Sequence, residues 1–230
     1  MKTFDLIICN DHVLFDNGSG LVLLDTGSPL SFHESGTMQI GDEFVKVPTS
    51  FPQVNADYLC RNVGTEVRGL LGMDCIGGFR TLIDIPAKKI VFGAAMENFV
   101  EIPSFFFRIP GLILNVEGRV ARVFLDTGAP VSYFSRKFTD GKIPCGRKED
   151  FSPMLVSGRF ETDIFSLNTI YSGESFKIKA GNLPPEMELL LQMSGVDGVV
   201  GIEILQKSGI LFADGKIFIP DKFKESLENA

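Results

Sequence analysis

The sequence has no tryptophan and only two histidines and three tyrosines among its 230 residues. With His12 and His33 as the sole imidazoles, and with no C-x-x-C spacing among Cys9, Cys60, Cys75 and Cys145, no plausible zinc set can be assembled. The four cysteines are expected to be free thiols rather than disulfide partners. A surplus of positive charge is missing as well. Lys and Arg number 22 against 29 Asp and Glu, a net charge of −7. That balance argues against a nucleic-acid partner, which needs a basic stripe, and is read as serving solubility. No apolar run approaches the roughly 18 residues a membrane span requires. The opening "MKTFDLIICNDH" carries one Lys and too short an apolar run for a secretion signal, so a cytoplasmic protein without a membrane partner is expected. Long polar tracts are absent, which excludes a disordered or low-complexity chain. There is no G-x-x-x-x-G-K-[ST], and "NGSG" at 17–20 is read as a hairpin turn rather than a phosphate cradle.

What is present is an ordinary globular composition, 44% hydrophobic and 22% charged, in a length that suits one large domain or two small lobes. Glycine (24) and proline (12) interrupt the chain at short intervals. The runs between them are β-branched or aromatic and four to seven residues long, which is the pattern of strands. Only "PPEMELLLQM" (184–193) and the C-terminal "DKFKESLENA" read as helices.

The organisation is an internal repeat. Placing Asp126 on Asp25, an offset of 101, aligns V-x-L-D-T-G-[SA]-P-[LV]-S-[FY] in "LVLLDTGSPLSF" and "RVFLDTGAPVSY". A second block follows in each half, "GLLGMDCI" at 69–76 and "GVVGIEIL" at 198–205, and each leads into a strand-turn-strand pattern, at 81–93 and 210–220. The expected division is an N-terminal lobe over 1–100 and a C-terminal lobe over 101–230, with the boundary near "ENFVEIPSFFFRIPG". The second half carries 28 extra residues between its two blocks, within 140–195, enough for a hairpin that reaches beyond its own lobe.

A single Asp-Thr-Gly after a strand needs no function: the Asp can close a turn on backbone amides while Gly takes an open conformation. Two copies related by a pseudo-twofold axis are different. If they meet at that axis, Asp25 and Asp126 cannot both ionise cheaply, and the pair keeps one shared proton. One carboxylate is then a base and the other an acid at the same pH.

"LLDTGS" and "FLDTGA", each followed by an aliphatic-aliphatic-Gly block, resemble the aspartic peptidases of the pepsin and retropepsin-like superfamily, over both halves of the chain. The resemblance implies an all-β, bilobal pepsin-like architecture of two retropepsin-like β-barrel lobes, with both Asp-Thr-Gly loops in one chain and a monomer as the working unit. It implies an aspartic endopeptidase in which Asp25 and Asp126 activate a water molecule, with no cofactor and no metal. Thr26 and Thr127 would cross-link the loops, and Gly27 and Gly128 would let the backbone approach the carboxyls. Ser28 and Ala129 complete the loops, while Leu71, Gly72, Val200 and Gly201 would pack beneath them. The substrate would be a peptide or protein segment bound extended between the lobes. With 21 Phe residues an apolar preference beside the cut is plausible, although most are expected to be core.

Departures from the pattern matter. Pro29 and Pro130 stand where pepsins carry Ser or Thr, and Ser28 could bond Asp25 in a way Ala129 cannot match at Asp126. No flap motif with a tyrosine is legible in the first half, whose one Tyr is Tyr58, so the substrate-covering flap is expected from a 140–180 hairpin of the second. The alternative is a catalytically inactive peptide-binding or inhibitory module on the same fold. Two Asp without histidine or further carboxylates make a poor metal cage.

Overall fold

The structure is a computed structural model that describes residues 1–106, 108–152, 158–171 and 174–221. Each half begins as an antiparallel hairpin feeding its Asp-Thr-Gly loop. In the first, Lys2–Cys9 pairs with His12–Asp16 across a tight turn at Asn10 and Asp11, both with positive φ (49° and 64°). Two such residues match the right-handed twist of the flanking strands. The chain then turns through 17–20, as the "NGSG" reading expects, into Leu21–Leu24. In the second half, Pro110–Val116 pairs with Arg119–Leu125 across Glu117 and Gly118.

The G-h-h-G blocks dock beside these hairpins in the same way twice. Gly69–Leu71 runs parallel to Leu21–Leu24 and antiparallel to Phe32–His33. Gly198–Val200 runs parallel to Arg119–Leu125 and antiparallel to Ser132–Phe134. These strands are nearly continuous in apolar residues because they are covered on both faces, and Val22, Leu24, Leu71, Val123, Leu125 and Val200 have no exposed surface.

The two expected hairpins at 81–93 and 210–220 are present, as Thr81–Asp84 with Lys89–Phe92 and Ile210–Ala213 with Lys216–Pro220. They are also joined to each other. Ile210–Ala213 pairs antiparallel with Thr81–Asp84, and Phe99–Glu101 pairs with Lys216–Pro220. A ten-stranded sheet therefore contains strands from both ends of the sequence, and one apolar core runs through both halves.

Between its two blocks the first half holds the small hairpin Thr37–Ile40 with Glu43–Lys46, and the helix Ala56–Val63. That helix is absent from the sequence expectations. It is eight residues long and buries only Leu59 and Val63, one turn apart, so its apolar period is too short to stand out. Its ends are nevertheless fixed: the Asn55 side chain accepts from the Tyr58 amide, and Gly64 closes it in the left-handed region. A single turn at Met73–Ile76 is a further unexpected helix. In the second half Gly146–Phe151, Arg159–Tyr171 and Glu174–Asn182 form an antiparallel set, followed by the expected helix, Pro185–Met193. The C-terminal helix read at 221–230 lies outside the described residues beyond Asp221. Among the described residues no helix is long and apolar enough to cross a membrane.

Candidate active site

The two Asp-Thr-Gly loops meet. Each Asp leaves its strand with its backbone N–H still held by the parallel neighbour: Asp25 donates to the Leu71 carbonyl at 3.0 Å and Asp126 to the Val200 carbonyl at 2.9 Å. Leu71 and Val200 thus set the height of the two carboxyls. The threonines then tie one loop to the other. The Thr26 hydroxyl donates to the Leu125 carbonyl and the Thr127 hydroxyl to the Leu24 carbonyl, both at 2.8 Å. Each hydroxyl oxygen also accepts the other threonine's backbone N–H, at 3.0 Å. Both threonines are completely buried, so these four bonds are shielded from competing water.

A further matched pair was not singled out from sequence. The Gly72 N–H donates to the Ser31 hydroxyl at 2.8 Å, and the Gly201 N–H donates to the Ser132 hydroxyl at 3.2 Å. Both serines belong to the repeated "DTG[SA]P[LV]S" stretch, where a Ser at the same place in both copies was the available signal. Gly72 and Gly201 press against the carbonyls of Leu30 and Ala129, where a Cβ would lie 2.4 and 2.6 Å away.

Gly27 and Gly128 make the close approach of the carboxyls possible. A Cβ on Gly27 would stand 2.3 Å from Asp126 Cγ, and one on Gly128 would stand 2.8 Å from Asp25 Cγ. The two carboxyls therefore lie side by side, each against the glycine of the other loop. Each keeps part of its surface open to a cleft while lying deep among protein atoms. Burial is the main cause that raises both above the usual carboxylate range, and for Asp25 the neighbouring Asp126 charge adds to it. Backbone amides oppose the rise: Ser28 N–H reaches Asp25 Oδ1 at 3.0 Å, and Gly128 N–H reaches Asp126 Oδ1 at 2.8 Å. The pair therefore holds one proton well into the range where isolated carboxylates have lost theirs.

The Ser28 side chain does something other than expected. Its hydroxyl donates to the Leu30 carbonyl at 2.8 Å, and its amide, not its hydroxyl, serves Asp25. Ala129 serves Asp126 through its own backbone N–H. Both carboxyls are thus served by backbone amides of their own loops, Asp25 by Ser28 and Asp126 by Gly128.

The cleft above the pair is apolar. One arm is walled by Tyr58 and Leu59 of the first-half helix and by Phe151, Phe160 and Met187 of the second half. The other arm, roughly 520 Å³, lies among Phe51, Ile109, Phe124, Leu190 and Leu191. Asp25 and Asp126 lie on the floor of both. The hairpin of Gly146–Phe151 and Arg159–Tyr171 stands beside this cleft and reaches the first half, where Lys148 pairs with Asp11 at 2.9 Å and Arg159 donates to Asn62 at 3.4 Å. Its 153–157 segment lies outside the described residues.

Three other groups escaped the sequence reading. His12, weighed there only as a metal ligand, is buried and bonds through Nδ1 to the Gly128 carbonyl at 3.2 Å. Burial lowers its pKa, so its ring is neutral near pH 7. Tyr133 and Asp150, both buried, are hydrogen-bonded to each other beside Asp126. Sequence gave no signal for that pairing, which joins residues on different strands.

The two lobes, the paired loops and the shared sheet constitute the fold of the bilobal aspartic proteinases. An aspartic proteinase from Irpex lacteus superposes over 95% of this chain and 96% of its own with a TM-score of 0.53, at 10% sequence identity. A retropepsin-like aspartic protease from Rickettsia conorii matches 53% of this chain and 89% of its own, with 14% identity and a TM-score of 0.40. No protein-family model matches the chain, and no curated protein matches its sequence.

Proposed function

We propose that the chain is an aspartic endopeptidase that hydrolyses peptide bonds with Asp25 and Asp126 as its catalytic pair. The observation that carries this reading is the pair of carboxyls brought side by side by the crossed threonine bonds on the floor of an apolar cleft. The substrate lies extended across the cleft, with main-chain hydrogen bonds and alternate side chains in its apolar arms. The paired strands Gly146–Phe151 and Arg159–Tyr171 act as the flap. Both carboxyls come from one chain, so a monomer suffices.

In this reading a water molecule sits between the carboxyls. The charged member takes a proton from it as its oxygen bonds to the scissile carbonyl carbon, and the neutral member protonates the carbonyl oxygen. The resulting gem-diol then collapses. The C–N bond breaks, the amine nitrogen takes the proton first removed from water, and a diol hydroxyl returns a proton to the other carboxyl. The pair ends as it began, with one proton and no covalent intermediate. Thr26 and Thr127 hold the carboxyls at fixed separation throughout, so no reorganisation is needed at the moment of reaction.

The test is incubation of the parent chain, Asp25→Asn and Asp126→Asn with a diverse peptide mixture from about pH 3 to pH 8, a range spanning the carboxylate titration. Cleavage by the parent that both variants lack supports the reading. A parent that cleaves nothing yet binds a statine-type peptide would instead be a peptide-binding module.

A further inference from the structure

Tyr133 follows Asp126 by seven residues and sits in register with Val199, next to the Val200 carbonyl that holds Asp126. It is 4% exposed, and the flap hairpin grips it from both strands. Its hydroxyl donates to Asp150 Oδ2, and Phe160, paired with Asp150 across the hairpin, sets its ring 5.7 Å from the tyrosine ring. Asp150 itself is 8% exposed and accepts the Phe151 amide through its other oxygen, at 2.7 Å. A buried carboxyl in a flap strand is costly unless it is used.

We propose that Asp150 is a positioning residue of the site: through Tyr133 it fixes the flap hairpin to the strand leaving the Asp126 loop, and it stands as a third carboxyl beside the catalytic pair. The proposal rests on the peptidase reading. The groups facing Asp150 are Tyr133, Asp126 and, from the first half, His12, with the Lys148–Asp11 pair at the margin. Burial and the Asp150 charge push the Tyr133 phenol far up, so it remains a neutral donor. Burial raises Asp126 most, and the Asp150 charge adds to it. Asp150 thereby makes ionisation of Asp126 harder and biases the shared proton toward that carboxyl.

Two variants separate the mechanical from the electrostatic role. Asp150→Asn keeps an oxygen for the Tyr133 hydroxyl but loses the charge and the acceptor of the Phe151 amide, whereas Tyr133→Phe keeps the charge and loses the tether. Three quantities are read: carboxyl ¹³C titration of Asp25 and Asp126, amide hydrogen exchange over 146–150, and kcat and KM on a cleaved peptide as functions of pH. Asp150→Asn is expected to lower the titration step of Asp126, and the limb of the pH–activity profile that follows it, by about half to one pH unit, with exchange over 146–150 and KM within about twofold. Tyr133→Phe is expected to leave titration in place while exchange and KM rise about tenfold. An unmoved titration in Asp150→Asn, or unaltered exchange in Tyr133→Phe, overturns the proposal. A parent chain that cleaves no peptide ends the peptidase reading instead, and titration and exchange still decide the role of Asp150.

Discussion

Within their loops the two halves are nearly superimposable in chemistry, and between their loops and blocks they differ in almost everything. Asp25 and Asp126 are held by the same backbone bond to Leu71 and Val200, Thr26 and Thr127 make the same crossed bonds, and Ser31 and Ser132 each accept the amide of the facing glycine. Yet the first half fills the interval with a small hairpin and a helix, and the second with a three-stranded set and a longer helix. Even a shared acid diverges. Asp74, two residues after Gly72, accepts the Ser31 hydroxyl, whereas Glu203, two residues after Gly201, accepts the Lys179 amide of an inserted strand. The lesson is that symmetry is kept where the two carboxyls meet and abandoned where the lobes wall the cleft, with a helix on one side and a long hairpin on the other.

The largest test of that symmetry is the pair itself. Asp25→Asn and Asp126→Asn are each expected to reduce peptide cleavage by about 10³-fold or more, equally, since either removes the acid–base couple. A large residual rate in one variant would show that the lobes are not equivalent in chemistry. Next come the glycines, where the halves differ in degree. Gly27→Ala drives a methyl into Asp126, and Gly128→Ala leaves more room at Asp25. Cleavage should fall about 10²-fold in the first and less in the second, measured as kcat/KM.

Stability offers a finer comparison. Thr26→Ala and Thr127→Ala each strand buried backbone groups and should cost about 1–3 kcal/mol in urea unfolding. The double variant should cost less than the sum, because both residues belong to one network. The Asn variants of the pair should run the other way. Folded Asp25 keeps its proton above the ordinary carboxylate range of about pH 3.9, so the folded state binds a proton there that the unfolded chain has released. Stability is therefore lost as pH rises through that window. Asp25→Asn escapes the loss, and should melt higher than the parent at pH 7 but not at about pH 3. The smallest difference is between the two serines. Ser31→Ala removes bonds to both Gly72 and Asp74, and Ser132→Ala removes the one to Gly201, so the first should cost about 1–2 kcal/mol and the second about 1.

How much of this could be read in advance follows from the range of each interaction. The strands, the 17–20 turn and the 185–193 helix are local patterns, and the paired loops show as a repeat. Their meeting could be inferred because symmetry supplied the long-range contact. Where no symmetry helped, nothing was visible. Tyr133 with Asp150 and His12 with Gly128 join residues 17 and 116 positions apart with no repeat to announce them. The same holds for the pairing of Ile210–Ala213 with Thr81–Asp84, since apolar alternation says that a strand exists but not which edge it seeks. The first-half helix was hidden by brevity.

That last strand pairing has a consequence for how the protein comes into being. A ribosome that has delivered only the first 200 residues leaves Thr81–Asp84 without the neighbour that Ile210–Ala213 supplies, and Phe99–Glu101 without Lys216–Pro220. The sheet common to both lobes closes only when residues 210–220 have emerged. Nascent chains thus carry both Asp-Thr-Gly loops for many residues of synthesis with an open sheet edge, which is the state most exposed to mispairing with other chains. Emergence of residues 210–220 is then the event that joins the two lobes through one sheet.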